Sequence, residues 1–188
     1  MILRYFLYSL LLGVVASIVG ATIAIKHHPE RFTNFMGMDR QLLKRVPQFQ
    51  LEDIDGKLHT YTEWNGHILV LNFWATWCQP CREETPGFVE LQEKYREQGV
   101  QFVGIAIDDA DEVRDFMDSF GITYPMLMGN LQIVELSRKM GNRLEALPFT
   151  VIVDRHGYIA KRYTRGLTKQ DVEAVITSLL DRNQHAEG

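Results

Sequence analysis

The residues best suited to chemistry are two cysteines, Cys78 and Cys81, in the stretch LNFWATWCQPCREETPGF at positions 71–88 of the 188-residue chain, which holds no other cysteine. A C-x-x-C pair can form half of a metal site, a structural clip or a reactive dithiol. A structural zinc ion needs four ligands, and none of the six histidines falls within ten residues of the pair. A bridge between residues three apart constrains little of the unfolded chain. The pair is therefore interpreted as a redox-active dithiol.

The surroundings of the pair predict different roles for the two thiols. Cys78 falls where a strand ends and a helix begins, so free backbone N–H groups and the helix dipole can stabilise its thiolate. Pro80 suits the first helical turn, where no N–H is needed. Cys81 lies one turn along the helix and deeper in the domain. We therefore expect exposed Cys78 to attack a substrate disulfide and shielded Cys81 to resolve the mixed disulfide.

Two neighbours of the pair are further candidates for a functional role. Burial raises the pKa of a thiol, so Cys81 needs a base, and Glu84 lies about one helical turn away. The alternative is that Glu84 only favours the helix N-terminus electrostatically, which is how Glu83 is interpreted. Trp74 is predicted to lie in the core, whereas Trp77 could form an exposed contact platform for a peptide.

The elements that must position these residues follow from the hydrophobic pattern. Apolar runs at 67–75 and 100–108 predict buried strands on either side of a helix from Glu83 to Gln98, and such a βαβ unit makes the two strands parallel. A hairpin is predicted at 49–61, around Asp55-Gly56. The second half predicts helices at 111–121 and 131–140, a strand at 124–129, a hairpin of strands 149–154 and 158–164, and a last helix capped by Thr168 and Asp171. The order predicts an α/β fold, with a central mixed sheet and helices on both faces.

Composition and the N-terminus limit the class of protein. The net charge is −4, and a mildly acidic chain without a Lys/Arg cluster is not expected to bind nucleic acid. Positions 5–25 contain 21 residues without a charge, enough to span a bilayer as a helix. We expect residues 1–26 to be a membrane anchor, the alternative being a signal peptide cleaved near Val19-Gly20-Ala21. Residues 27–46 are interpreted as a linker.

A family resemblance covers residues 47–181. FWATWCQPC resembles the thioredoxin superfamily motif, while CREETP and GKLHTY…LVLNFWATWC resemble the membrane-anchored TlpA/ResA-type thiol–disulfide oxidoreductases, including the CcmG/DsbE-like reductases of cytochrome c maturation. The resemblance implies a thioredoxin-like domain at 47–183, preceded by one transmembrane helix and followed by a tail at 184–188.

The resemblance also implies roles for individual residues. Cys78 would be the nucleophile and Cys81 the resolving thiol, and Glu84 matches an acidic residue that several members carry. Pro148 would be a cis-proline beside the disulfide, and the backbone of Leu147 would pair with an extended substrate. The implied substrate-binding residues are Trp77, Pro80, Leu147 and Pro148. Asn72 departs from cytosolic thioredoxins, which have a buried aspartate there, and it cannot accept a proton.

These inferences predict a single-pass protein of the inner membrane, with its C-terminal domain in the periplasm or another extracytoplasmic space. It would reduce disulfides of exported proteins, including apocytochromes c, and be recharged by a membrane electron donor. Gln79-Pro80 between the cysteines resembles reducing members, because a cation there would favour an oxidant. No metal and no cofactor other than the Cys78–Cys81 disulfide is expected. The alternatives are a disulfide oxidase or isomerase, and a copper-binding assembly module that uses both thiols.

Overall fold

The computed structural model describes residues 44–129 and 131–184, with side chains described as far as Arg182. In these ranges the strands are β1 (Gln50–Asp53), β2 (Leu58–Thr60), β3 (Ile68–Trp74), β4 (Val100–Ala106), β5 (Met126–Met128), β6 (Phe149–Val153) and β7 (Ile159–Tyr163). The α-helices are α1 (Gln79–Tyr95), α2 (Ala110–Phe120), α3 (Leu131–Met140) and α4 (Lys169–Gln184). Short 3₁₀ turns follow β2 and α1, at Tyr61–Trp64 and Arg96–Gln98.

The strands form one mixed sheet in the order β2-β1-β5-β4-β3-β6-β7. Strand β3 is parallel to β4 and antiparallel to β6, and β7 closes the sheet as the second strand of a hairpin with β6. The hairpins at both ends of the sheet and the β3–α1–β4 unit confirm the predicted connections. The fold is the thioredoxin-like α/β fold, with a central mixed sheet and flanking helices.

The alternating side chains of the central strands divide the core into two layers. On one face, Ile68 and Val70 of β3 lie in a buried cluster with residues of α1, α2 and α4. On the other face, Leu69 and Leu71 lie in a cluster with residues of α3. Because both faces of β3 are covered, all seven of its residues are buried, and all of them except Asn72 are apolar.

Helix α1 begins earlier than its hydrophobic pattern predicts. The apolar period starts at Glu83, but the helix starts at Gln79, with Cys78 as its N-cap residue and Pro80 in the first turn, as the surroundings of the two cysteines predict. The first turn is polar and largely exposed, so an apolar period cannot detect it. The end of the helical segment was predicted better, because Gly99 adopts the left-handed conformation (φ 75°) that favours glycine.

The N-terminal boundary of the folded unit also differs from the prediction. The linker predicted at 27–46 includes residues 44–46, but these residues pair with the β6–β7 hairpin: Val46 N donates to Gly157 O (3.1 Å) and Ile159 N donates to Lys44 O (2.9 Å). The folded unit therefore includes Lys44. The predicted anchor, the rest of the linker and the tail from 185 lie outside the described residues, and within those residues no helix combines the length and hydrophobicity needed to cross a bilayer.

Candidate active site

The two cysteines form a disulfide at the start of α1. The bond joins Cys78 and Cys81, whose Cα atoms lie 5.3 Å apart. The prediction that Cys78 is exposed is wrong for this disulfide-bonded form, because its exposed fraction is 5%, against 1% for Cys81. The relative order is as expected, since Cys78 is the more accessible of the two. The neighbouring Trp77 is 70% exposed and offers a large apolar surface directly beside the disulfide.

The backbone around Cys78 forms the junction of strand and helix. Cys78 N donates to Ala75 O (3.2 Å), which closes a turn after β3. Cys78 O accepts from Cys81 N (3.0 Å) and Arg82 N (3.2 Å), the first hydrogen bonds of the helix. Cys78 therefore sits at the positive end of α1, where a thiolate is stabilised by the helix dipole.

Glu84 is a buried carboxyl group one turn beyond Cys81. Its exposed fraction is 3%, and both carboxyl oxygens accept hydrogen bonds. Oε1 accepts from the Asn72 side-chain amide (2.8 Å), and Oε2 accepts from Leu167 N (2.9 Å). The Asn72 amide also donates to Thr150 Oγ1 (3.0 Å), so the network connects α1 to β3 and β6.

The surroundings of Glu84 suit it to proton transfer. Burial raises the pKa of Glu84 to about 7, although the hydrogen bonds from Leu167 N and Asn72 act in the opposite direction. A pKa near neutral allows a carboxyl group to accept and return a proton at physiological pH. A groove of about 610 Å³, lined by Glu84 and residues of α1 and the 166–169 segment, gives water access to this region.

The predicted substrate-binding residues come from three segments. Pro80 is exposed in the first turn of α1, and it approaches the loop before α4 closely, since a Cβ on Gly166 would lie 3.1 Å from the Cβ of Pro80. Pro148 is buried, and the Leu147–Pro148 peptide bond is cis. Partly buried Leu147 packs against the apolar cluster that contains both cysteines.

Sheet register explains why the Leu147–Pro148 segment lies at this end of the molecule. Phe149, the first residue of β6, pairs with Phe73 near the end of β3, and the two rings lie 5.6 Å apart. The segment before β6 and the turn after β3 therefore emerge at the same edge of the sheet. The roles of Trp77, Pro80, Leu147 and Pro148 in binding a substrate stay predictions.

The sequence reasoning missed the partners of Glu84. The sequence identifies Asn72 only as a residue that cannot accept a proton, whereas its side-chain amide donates a hydrogen bond to the carboxyl group. A signal was present, because a buried polar side chain in an apolar strand requires a partner, and the same holds for Thr150 in β6. The contact from Leu167 has no such signal, since it uses the backbone N–H.

This arrangement can exchange disulfides in both directions. In the reducing direction, the Cys78 thiolate attacks one sulfur of a client disulfide, the client S–S bond breaks, and one client thiolate leaves. Cys81 then loses its proton and its thiolate attacks the sulfur of Cys78, which releases the second client thiolate. The role of Glu84 as the acceptor of that proton stays a prediction. Two electrons pass to the client, and the Cys78–Cys81 disulfide is formed.

Comparisons with known proteins agree with this chemistry. Residues 42–176 match the family model described as Redoxin. The thiol–disulfide oxidoreductase ResA of Geobacillus thermodenitrificans is 29% identical over 177 residues, which cover 94% of this chain and 96% of that protein. ResA of Halalkalibacterium halodurans is 30% identical over 175 residues, which cover 90% of this chain and 92% of that protein.

A solved structure shows the same similarity in three dimensions. A thiol:disulfide interchange protein of the thioredoxin family from Chlorobium tepidum TLS superposes with a TM-score of 0.68 at 27% identity, covering 73% of this chain and 97% of the other. Because the family model spans most of the chain and ResA proteins align along nearly all of it, the chain belongs to the redoxin family and is a thiol–disulfide oxidoreductase of the ResA type, with the Cys78–Cys81 disulfide as its redox-active group.

Proposed function

We propose that this oxidoreductase is a membrane-tethered reductase of exported proteins, with apocytochrome c as its client. The segment at 5–25 holds it in the inner membrane, and the folded unit lies on the extracytoplasmic side. A membrane electron donor reduces the Cys78–Cys81 disulfide, and the resulting dithiol reduces the client. No other cofactor takes part.

The observation that carries the reducing direction is the charge around the disulfide. Neither Gln79 nor Pro80, between the two cysteines, is a cation, and the nearest buried ionisable group along α1 is the carboxyl group of Glu84. A cation would stabilise the thiolate of the reduced form, as strong oxidants require, whereas a carboxylate does not. Neither the residues between the cysteines nor the buried group beyond them therefore supplies a cation that would stabilise the reduced form, which supports electron donation.

The proposal for the client rests on the surface beside the disulfide. Exposed Trp77 supplies an apolar contact, and the backbone at Leu147 can pair with an extended chain. A haem-binding C-x-x-C-H segment of an unfolded apocytochrome c is such a chain, with two cysteines that form a disulfide in an oxidising compartment.

The reduction potential of the pair tests the direction of electron flow. The purified chain is equilibrated with thiol buffers of defined potential, and the redox state is followed by tryptophan fluorescence, since Trp77 adjoins Cys78. We expect a value near the thioredoxin end of the range, about −270 mV. A value near that of strong oxidants, about −120 mV, would contradict the reducing role and indicate disulfide donation.

A trapping experiment tests the client. Cys81→Ser leaves Cys78 able to attack but removes the resolving thiol, so mixed disulfides with clients should accumulate in cells. Apocytochrome c is expected among the trapped proteins. The matched control is Cys78→Ser, which lacks the nucleophile and should trap far less. Equal trapping by both variants would contradict the assigned division of labour.

Fractionation of cells tests the location. The full chain is expected to stay with membranes after an alkaline wash, and its folded unit should be digested by protease added from the periplasmic side. A variant without residues 1–26, directed to the periplasm by a cleavable signal, should appear in the soluble fraction. Release of the full chain by the wash would contradict the anchor.

A further inference from the structure

Thr76, in the turn between β3 and α1, has hydrogen bonds on all of its polar groups. Its backbone N–H and its hydroxyl both donate to Asp108 Oδ2, at 2.8 and 2.6 Å. Its carbonyl oxygen accepts from a guanidinium nitrogen of Arg82 at 3.2 Å. Asp108 follows β4 as Thr76 follows β3, and the carboxyl ends of these parallel strands lie at the same edge of the sheet.

Arg82 is itself held in place by α2. Its guanidinium lies 5.2 Å from the ring centre of Phe116 and 5.8 Å from that of Phe120. The two rings are stacked, with centres 4.3 Å apart, so they form one aromatic surface for the cation. An arginine can stack on rings and donate a directed hydrogen bond at the same time, because its charged group is planar.

The side chain of Asp108 does not cap the neighbouring helix. The N-terminus of α2 is capped by Asp109, whose Oδ1 accepts from Asp111 N at 3.0 Å. Partial burial acts to raise the pKa of Asp108, but the hydrogen bonds from Thr76 and Asp109 outweigh it and hold the pKa below its usual range. Asp108 is therefore an ionised acceptor that binds the N–H and hydroxyl groups of Thr76, in the turn before Cys78, as well as the N–H of Asp109.

The contacts of Thr76 bear on the two residues that follow it. The carbonyl group of Thr76 and the N–H of Trp77 belong to one planar peptide unit. The Arg82 contact therefore fixes the orientation of the peptide plane that leads into Trp77. Cys78 is the next residue and caps α1. Two contacts therefore hold the turn: Asp108 after β4 binds the N–H and hydroxyl of Thr76, and Arg82, whose guanidinium packs on rings of α2, binds its carbonyl group.

We propose that Asp108 and Arg82 are positioning residues for disulfide exchange, which hold Thr76 so that Trp77 receives the client and Cys78 is aligned with the client disulfide. The proposal depends on exchange at Cys78 and not on the direction of net electron flow. Alignment matters because the thiolate attacks one sulfur while the other leaves, and misplacement of reacting atoms by about 1 Å can lower a rate by up to about a hundredfold.

The test isolates attack by Cys78 in the full chain carrying Cys81→Ser. Two probes are used: a short peptide with an internal C-x-x-C disulfide, which requires alignment, and iodoacetamide, which reports the thiolate alone. Asp108→Ala is expected to lower the rate constant for mixed-disulfide formation about tenfold. The pH dependence of alkylation should not change. If the variant instead had less Cys78 thiolate, the alkylation profile would shift to higher pH.

Further variants separate positioning from folding. Asp108→Asn keeps an acceptor oxygen for Thr76 and should recover most of the exchange rate. Arg82→Lys keeps the charge but loses the planar donor, so it should slow exchange several-fold. The matched control is Asp111→Asn, which removes an exposed charge from the same region and should change neither reaction.

Three results would overturn the proposal. The first is an unchanged exchange rate in both Asp108→Ala and Arg82→Lys. The second is a parallel fall of exchange and alkylation in Asp108→Ala, which would show that Asp108 acts on the thiolate and not on alignment. The third is a parent protein with only Cys81→Ser that does not react with the peptide at all, which would also contradict disulfide exchange itself.

Discussion

At the scale of single residues, Glu84 and its neighbour Glu83 have the same side chain in opposite environments. Glu83 is exposed on the outer side of the same helical turn, where its carboxylate accepts from the Gln79 side chain at 2.9 Å. Glu84 faces inward, is 3% exposed, and has a pKa raised by burial to about 7. The two acids are therefore a natural matched pair for experiments on proton transfer.

Glu84→Gln should slow the resolving step of exchange. The ionised carboxylate is expected to take the proton of Cys81, so the rate of client release should rise as pH increases through about 7. The glutamine variant should lose this rise and react about a hundredfold more slowly at pH 8. Quenched-flow measurement of the mixed disulfide between pH 5 and 9 gives the profile. Glu83→Gln should keep it, and an unchanged profile in Glu84→Gln would assign Glu84 a structural role.

The same carboxyl group should make the folded state less stable at high pH. Its pKa in the folded state is about 7, raised from 4.5, so the folded state holds the proton more tightly than the unfolded chain does. The favourable contribution is complete below pH 4.5 and is lost as pH rises through 7. Its loss corresponds to about 3 kcal/mol.

Comparison with Glu84→Gln isolates this contribution, because the other titrating groups are shared. The free energy of unfolding of the variant, relative to that of the unaltered chain, should increase by about 3 kcal/mol between pH 4.5 and pH 8.5. Urea unfolding of the oxidised proteins at several pH values measures the difference. A difference that does not vary with pH would mean that the carboxyl group titrates normally in the folded state.

At the scale of elements, the N-terminus of α4 supports the site through Leu167. Thr168 and Asp171 form a capping box: Asp171 N donates to Thr168 Oγ1 at 3.2 Å, and Thr168 N donates to Asp171 Oδ2 at 3.0 Å. The residue before this box, Leu167, donates its N–H to Glu84. The cap thus fixes the end of the segment that contacts the buried carboxyl group.

Thr168→Ala should lower the free energy of unfolding by about 1 kcal/mol, the usual cost of losing an N-cap side chain. The control is Thr177→Ala in the middle of α4, where the hydroxyl contacts two carbonyl groups of the preceding turn, Glu173 O at 2.9 Å and Ala174 O at 3.2 Å. That change should be nearly neutral, because alanine favours helix. Equal losses in both variants, measured by urea unfolding, would contradict a special role for the cap.

At the scale of the whole molecule, the sequence predicts local features better than contacts between distant segments. The apolar strands, the hairpin around Asp55-Gly56 and the cap of α4 at Thr168 and Asp171 are local signals, and the structure confirms the elements that they predict. By contrast, Glu84 meets Leu167 across 83 positions, and Thr76 meets Asp108 across 32. Glu84 meets Leu167 through the packing of α1 against the segment before α4, and Thr76 meets Asp108 because β3 and β4 are adjacent. Local patterns predict the elements, but they do not record which polar groups of those elements meet.

The disulfide-bonded and reduced forms of the whole molecule should differ in stability. If the pair is an electron donor, oxidation must be favourable in the folded state, just as a strong oxidant is one whose reduced form is stabilised. The oxidised chain should then unfold at a higher urea concentration than the reduced chain. Its free energy of unfolding should be larger by about 1.4 kcal/mol for each 30 mV by which folding lowers the reduction potential of the pair. Urea unfolding with and without reductant measures this difference, and the Cys78→Ser, Cys81→Ser double variant should show none. A reduced form that is more stable than the oxidised form would contradict the reducing role, whatever client is trapped.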